Sequence, residues 1–555
     1  MEKIKIEMKF LQKNNYLILL ILIILLAAFL RFWRLPDYMT FLGDEGRDAL
    51  AVKRMIVDHK FRLIGPVTSI GNMYLGPLYY YLILPAMAIA RLSPVGPAAM
   101  VALLGVITAG LVFWLGQEWV GKKAALIAAF FYALSPIVII YSRSSWNPNV
   151  MPFFALIAMF GIWRVWRQKQ FWWLPIIGLA LSFALQSHWL GLLLFPAVFL
   201  FWLLTLIDIK KEKASLKRFW WQTLFLILIF LFLTVAPLVW FDLRHNFINA
   251  NAFKAFFTDR QTTVNFKLYK AIPKIWALTT QVFTRLVTGK DQLWGWWTTL
   301  LVNLMVLGNL IWQAFKTKKW SRFLNEKTIG LVFLLVWFGV GLLGLGNYKQ
   351  HIYDHYFGFF FPVPFLLTGW VLAKIWDYKN LPSAEPCFSS KNLPSAEPCF
   401  SSKNLPSAEP CFSNRLAGKI LSLFLLIFFV FLAIKESPLR SPPNQQLKRT
   451  QTIARFVLAK AQDKPFNLAL LAERNYDEAY AFFMEVWGKP PLRIDPQKSK
   501  ETIAEQLFVI CEQLPCQPVG HPKAEIAMFG WTKIAEKWQI EGVGVYKLIH
   551  YEKRN

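Results

Sequence analysis

The chain has 555 residues, 56% of them apolar, with a mean hydropathy of +0.39 and a formal net charge of +28. That much apolar surface excludes a soluble protein of several domains. The charge would suit nucleic acid, but the basic residues gather in short loops beside apolar runs, where headgroups and topology account for them.

The first apolar run, 16–33, follows Lys3, Lys5, Lys9 and Lys13 and has no small-residue cleavage site after it, so it reads as a retained anchor. Ten further runs approach the length needed to cross a bilayer: 95–117, 124–141, 149–164, 171–187, 189–207, 219–240, 294–314, 328–346, 356–374 and 417–434. Segment 77–90 is apolar but carries Pro77 and Pro85, which leave little uninterrupted helix, so it is expected to be interfacial or re-entrant. With that segment not crossing, one set of loops carries Lys122/Lys123, Arg164/Arg167/Lys169, Lys210/Lys211/Lys213/Lys217/Arg218, Lys316/Lys318/Lys319/Arg322 and the 375–416 loop. The opposite short loops carry little beyond Arg143 and Lys349. By the positive-inside rule the N-terminus is cytoplasmic, and 34–94, 142–148, 242–293, 347–355 and the tail lie outside the plasma membrane.

The predicted architecture is an α-helical polytopic membrane protein of about eleven spans plus one interfacial or re-entrant segment. Residues 1–435 form the transmembrane domain, with 34–94 as its first external loop. Residues 379–414 are three tandem copies of a twelve-residue unit with two prolines each, read as a tolerated cytoplasmic loop insertion. Residues 436–555 are polar and alternate helix (444–461), strand (466–471), helix (475–487), strand (506–511), helix (523–537) and strand (543–549), which predicts a small extracytoplasmic α/β domain. Cys511 and Cys516 would lie where a disulfide is allowed; two free thiols fit the sequence equally well.

No Walker A, dinucleotide fingerprint, Gly-x-Ser-x-Gly elbow or His-Glu-x-x-His motif is present. The external polar residues instead form their own set. Asp44, Glu45 and Arg47 follow the first span, Tyr79, Tyr80 and Tyr81 sit on the interfacial segment, and Arg143 and Asn147 occupy the second external loop. His188 marks a turn between spans, Asp242, Arg244 and His245 open the third large loop, and His351, Tyr353, Asp354, His355 and Tyr356 close the last. Adjacent carboxylates at a membrane edge need water, a cation or a substrate to satisfy them. Arg143 reads equally as a headgroup anchor, the tyrosines as an aromatic belt and Asp242/Arg244 as a local ion pair.

If the helices bundle, these loops converge on one outward face and mix carboxylates with cations at headgroup depth. Such a cavity suits sugar transfer from a polyprenyl phosphate. A carboxylate takes the acceptor's hydroxyl proton and a cation holds the departing phosphate. Arg fits the phosphate because its charge is permanent and its fork binds two oxygens.

The segment Phe-Leu-Gly-Asp44-Glu45-Gly-Arg47-Asp resembles the Asp-Glu-x-Arg first-loop motif of the family-39/83 GT-C membrane glycosyltransferases: protein O-mannosyltransferases, aminoarabinose-lipid A transferases and Rgt-type sugar transferases. Gly76-Pro77-Leu78-Tyr79-Tyr80-Tyr81, Tyr141-Ser-Arg143 before Asn147-Pro148, and His355-Tyr356 leading into Phe361-Pro362-Val-Pro364 resemble three further motifs of that family, in the same order, over roughly 16–375. The resemblance implies an inverting hexosyl- or pentosyltransferase with a GT-C fold. It implies Asp44 as catalytic carboxylate and Glu45 as its support at the acceptor or a metal. Arg47, Tyr79, Tyr80, Arg143, Asn147, His351, His355 and Tyr356 would bind donor phosphate or substrate. It calls for no definite cofactor and leaves room for a divalent metal, and Asp354 with His351 or His355 is the pair to examine for one. The partners implied are a polyprenyl-phosphate sugar, membrane lipids, and a glycan, lipid or protein acceptor. Two departures stand out: the aminoarabinose enzymes carry Lys at the place of Gly76 and Asp at that of Asn147. A lipid-linked glycan polymerase, ligase or flippase is the alternative, kept by the long basic 242–293 loop. A transporter fits less well, because the spans show no internal repeat and the polar residues gather at loop edges.

Overall fold

The computed structural model describes residues 2–68, 73–258, 264, 267–317, 328–378 and 414–551. The tandem repeats, all but Asn414, lie outside the described residues.

Eight described helices are long and apolar enough to cross a membrane. In this set are α1 (Glu2–Phe32, crossing over Asn15–Phe32), α4 (Val95–Val120) and α7 (Met151–Gln168, entered through a 3-10 turn at Asn147–Val150). Next come α9 (Leu194–Ile209) and α10 (Lys213–Arg244, continuous through a π turn at Leu231–Val235). The set ends with α12 (Gln292–Thr317), α13 (Ile329–Gly346) and α15 (Asn414–Lys435). The remaining expected spans are broken or short. Ser135-Pro136 divides one into α5 (Lys122–Leu134) and α6 (Pro136–Tyr141). A second is α8 (Trp173–Ser187), of 15 residues. The third is a 3-10 turn over Asp354–Phe360 bent by 68° from α14 (Pro362–Trp376). The chain is a multi-pass integral membrane protein.

Pro136 explains how one break is held. Proline has no N–H, so the carbonyl of Tyr132 four residues earlier loses its helical donor. Inside a membrane no water replaces it. Arg31, fully buried near the end of α1, donates instead to the carbonyls of Tyr132 (3.4 Å) and Ala133 (3.2 Å). Arg143 repeats the device in the other direction. It is 2% exposed and donates to the carbonyls of Leu30 and Trp33, each at 2.7 Å, which closes the end of α1. Cationic side chains at helix C-termini also meet the negative end of the dipole.

The short apolar helix α3 (Leu78–Ile89) has 12 residues, roughly 18 Å of helix against a hydrocarbon core of about 30 Å. It packs on α4, α8 and the helix α2 (Gly43–Val57), with Tyr79 and Tyr80 buried.

The C-terminal region carries α16 (Gln446–Ala461), β1 (Asn467–Leu471), α17 (Glu478–Val486), β2 (Gln506–Cys511), β3 (Thr532–Ile540) and β4 (Val543–His550). The sheet order is β1-β2-β4-β3, with β1 parallel to β2 and the other pairs antiparallel. Leu507 to Cys511 are completely buried. Cys511 and Cys516 form a disulfide. The expected helix at 523–537 divides: only Ala524–Phe529 is helical, and β3 takes the rest. A two-residue turn makes the difference. Glu541 and Gly542 both have positive φ (50° and 78°), the geometry of a tight hairpin, and they fold β3 back on β4. Most of β3 is exposed, so its sequence lacks the apolar alternation that marks a half-buried strand.

This region docks on α2 through two glycines. A Cβ on Gly43 would stand 2.5 Å from Tyr476 Cβ, and one on Gly46 would stand 2.3 Å from the Ala479 nitrogen. The backbones of α2 and α17 touch only because neither position has a side chain. Asn475 Oδ1 accepts the Gly43 N–H at 2.8 Å, Glu485 takes both Arg54 nitrogens at 2.9 and 2.7 Å, and Phe41 meets Phe482 and Phe483. A Gly46→Leu variant is expected to lose about 1–3 kcal/mol and to become sensitive to protease between 436 and 555. Thermal unfolding with limited proteolysis in detergent checks it; wild-type behaviour in both would disprove the contact.

Candidate active site

Four charged residues lie within six positions of the start of α2, and they have different surroundings. Glu45 is 7% exposed and accepts from three donors: Thr40 Oγ1 at 2.9 Å, the Leu42 N–H at 3.1 Å and Ser144 Oγ at 3.3 Å. It reaches back to close the first turn of its own helix. Burial pushes its carboxyl up, against the hydrogen bonds from Thr40 and Leu42. Asp48 is completely buried one turn on and bonds Arg47 Nε at 3.0 Å. Burial pushes Asp48 up to about 7, with Arg47 pulling against it. Arg47 also holds Asp44 Oδ1 at 2.7 Å. Burial works against the Arg47 charge, but Asp48, Tyr80 and Asp44 outweigh it and hold the guanidinium above its ordinary range. Asp44 is the open member, its side chain 37% exposed.

Asp44 and Arg47 face a cavity of about 410 Å³. Its walls come from five separate stretches of chain: Gly43, Asp44 and Arg47; Pro66 to Thr68 with Leu75; Trp146, Asn147 and Pro148; His188; and His355 with Tyr356. Tyr476 and Glu478 of the C-terminal region complete it. The histidines form an aromatic wall, with the His355 ring 4.5 Å from Trp146 and 5.7 Å from His188, and Tyr356 5.0 Å from His188. Asn147 donates to the Ser187 carbonyl at 2.6 Å, which ties the loop before α7 to the end of α8.

Of the residues singled out in the sequence, Asp44, Arg47, Asn147, His188, His355 and Tyr356 therefore meet in one cavity. Tyr79 and Tyr80 stand behind it: the Tyr79 hydroxyl shares a 2.8 Å hydrogen bond with Ser145, and Tyr80 lies within electrostatic reach of Arg47 and Asp48. Arg143 is not among the lining residues; it is spent on the end of α1. His351 is exposed and meets Tyr353 at 4.6 Å, also away from the lining. Asp354 is held by both nitrogens of the Arg285 fork, with Nε at 2.6 Å. Among the described residues no three His, Cys, Asp or Glu side chains group as a metal site.

Sequence reasoning did not anticipate Tyr476 and Glu478. The one signal was Gly43 and Gly46, whose missing side chains leave room for a backbone against α2. Glu478 is the more informative of the two. Its Oε2 is buried without a partner, and burial with neighbouring Asp477 pushes its carboxyl up, against Arg493. The two departures at Gly76 and Asn147 also have local reasons. A Cβ on Gly76 would fall 2.1 Å from Gln186 Oε1, so Gln186 fills the space a longer side chain would need. An aspartate at 147 would put an acceptor against the Ser187 carbonyl, where the amide is a donor.

Residues 74–253 match the family model described as dolichyl-phosphate-mannose-protein mannosyltransferase, a stretch that begins after the Asp44 segment. No curated protein sequence matches the chain. Among solved structures, ArnT from Cupriavidus metallidurans bound to undecaprenyl phosphate is similar over 96% of this chain and 98% of its own, at 11% identity and a TM-score of 0.54. The archaeal oligosaccharyltransferase AglB from Archaeoglobus fulgidus, in complex with an inhibitory peptide and a dolichol-phosphate, is similar over 90% of this chain and 69% of its own. Its identity is 14% and its TM-score 0.51. At these identities the likeness is one of fold.

The raised Asp48 has a measurable consequence. Its folded pKa of about 7 stands above the ordinary 3.8, so the folded chain binds the proton more tightly than the unfolded one. The stability this contributes is complete below about pH 4 and is lost as pH rises through 7. Thermal unfolding from pH 5 to 8 is expected to show a falling midpoint. Asp48→Asn, which cannot ionise, should flatten that fall; an unchanged slope in the variant would refute the assignment.

Proposed function

We propose that this chain, which carries the fold of the GT-C membrane glycosyltransferases, transfers a sugar from a polyprenyl-phosphate-linked donor. The acceptor is a lipid, glycan or protein on the outer face of the membrane. One observation carries the reading. A half-open carboxylate, Asp44, is clamped by a partly buried arginine in a cavity where loops separated widely in sequence converge.

The chemistry follows from those two groups. Asp44 takes the proton of the acceptor hydroxyl as its oxygen attacks the anomeric carbon. An Asp is a weak base, but the hydroxyl grows more acidic as the new bond forms. The bond from the anomeric carbon to the donor phosphate breaks, and the phosphate leaves with the electron pair on the opposite side of the sugar, which inverts the centre. Arg47 is the one lysine or arginine lining the cavity among the described residues. It orients Asp44 through the 2.7 Å contact and offers charge to the departing phosphate. Asn147, His355 and Tyr356 supply polar and aromatic contacts for the sugar, and Tyr79 and Tyr80 support α2 from behind. Glu45 acts by holding the first turn of the helix that presents Asp44.

The orientation proposed places the N-terminus in the cytoplasm and the C-terminal region outside. Loop charge supports it, and so does the Cys511–Cys516 disulfide, since such bonds persist in oxidising compartments.

Two measurements test the proposal. Asp44→Asn should leave a folded membrane protein whose transfer from polyprenyl-phosphate sugar, assayed in vesicles, falls by roughly 10²–10⁴-fold. Unchanged turnover would sink the assignment. With Cys387, Cys399 and Cys411 replaced by Ser, Gln350→Cys should react with an impermeant reagent added to whole cells and Glu212→Cys should not. The reverse pattern would overturn the orientation.

A further inference from the structure

A second and larger cavity, of about 880 Å³, lies at the far end of the helices that carry the Asp44 cavity. The ends of α4, α7 and α14 and the starts of α5 and α13 form it. The 3-10 turns at Asn147 and Asp354, which lead into α7 and α14, sit at the other end of those helices. With 18 residues in α7, the two cavities are roughly 27 Å apart along the bundle. They therefore open at opposite membrane faces.

The charges of this second cavity do not cancel. Its two carboxylates are already engaged. Glu118 takes Arg164 and the Trp163 indole N–H (3.0 Å), and Asp377 takes Lys123. Lys122, Arg167 and Lys374 line the same cavity with no carboxylate partner among the described residues. Arg167 and Lys374 lean over Trp166 and Trp370, at 5.4 and 5.5 Å from the ring centroids, the arrangement of basic and indole side chains at a bilayer interface. A further donor points to an acceptor-rich ligand: Trp119 lines the cavity, is 3% exposed, and its indole N–H has no acceptor. The first N–H groups of α5, behind the uncapped Gly121, add to the positive end.

We propose that this cavity binds the phosphodiester headgroup of an anionic phospholipid in the leaflet opposite the Asp44 cavity. Three free cations meet the phosphate oxygens, the Trp119 N–H is satisfied, and the acyl chains run between α4 and its neighbours. Such a lipid ties together the ends of the helices that position the catalytic loops, and its binding does not depend on the sugar-transfer reading.

Native mass spectrometry of the full-length protein, titrated with phosphatidylglycerol or phosphatidylcholine, tests the site. Wild type should prefer phosphatidylglycerol by at least about tenfold. The triple variant Lys122→Gln/Arg167→Gln/Lys374→Gln should lose that preference while unfolding at the wild-type temperature in phosphatidylcholine. Trp119→Phe, which keeps an aromatic ring and removes the indole donor, should weaken phosphatidylglycerol binding; this second variant decides the matter if the triple one does not fold. Equal binding of the two lipids by wild type, a preference that survives in the triple variant, or undiminished phosphatidylglycerol binding by Trp119→Phe would overturn the proposal. Displacement of phosphatidylglycerol by millimolar inorganic phosphate would also overturn it, because the site would then be one for a free anion.

Discussion

Backbone groups set free where a helix ends have no water to turn to inside a membrane. This constraint decides what the buried polar side chains of the bundle do. Pro136 removes a donor and Arg31 replaces it; α1 ends and Arg143 takes its carbonyls. Ser135 Oγ donates to the Leu286 carbonyl at 2.7 Å, and Gln186 serves the Leu233 carbonyl in the π turn while accepting the Leu78 N–H that starts α3. Each repair lies on the side of the bundle that carries the Asp44 cavity. The spans can break there, and turn inward the loops that form a site, because a side chain stands ready at each of these breaks.

The same constraint separates residues that look alike in sequence. Arg47 and Arg143 are both loop-side arginines next to motif residues. Arg143 has its fork filled by two carbonyls, whereas Arg47 is filled by two carboxylates and keeps an edge on the cavity. A charge count does not distinguish them, since the difference lies in where α1 stops.

Much of the frame was legible because it rests on local rules. Apolar run length marked the spans, Pro77 and Pro85 marked a helix too short to cross, and the order of the polar loops marked the face where Asp44, Asn147, His188, His355 and Tyr356 meet. The illegible parts rest on contacts across the chain. Glu478 lies more than four hundred residues from Asp44, and nothing near it in sequence sets it apart from other acids of the tail. β3 hides because a mostly exposed edge strand has no apolar alternation, and only the Glu541-Gly542 turn betrays it. Gly43 and Gly46 were visible as letters of a motif, yet their reason, the backbone of α17 lying against them, is tertiary.

Why the proposed chemistry should rest on Asp44 follows from the company it keeps. A base must be ionised at working pH, reachable, and fixed in direction. Asp48 fails the second condition, being completely buried. Glu45 fails it as well, since three donors already occupy its oxygens. Asp44 has one oxygen on Arg47, which fixes its direction, and the rest of its carboxylate faces the cavity. The two buried acids remain necessary. Glu45 closes the helix turn that holds Asp44, and Asp48 holds the far side of Arg47, so that the guanidinium bridges a buried carboxylate and an exposed one. Removing the buried partner would free Arg47 to swing out with Asp44, and the open carboxylate would lose the fixed direction that a positioned base requires.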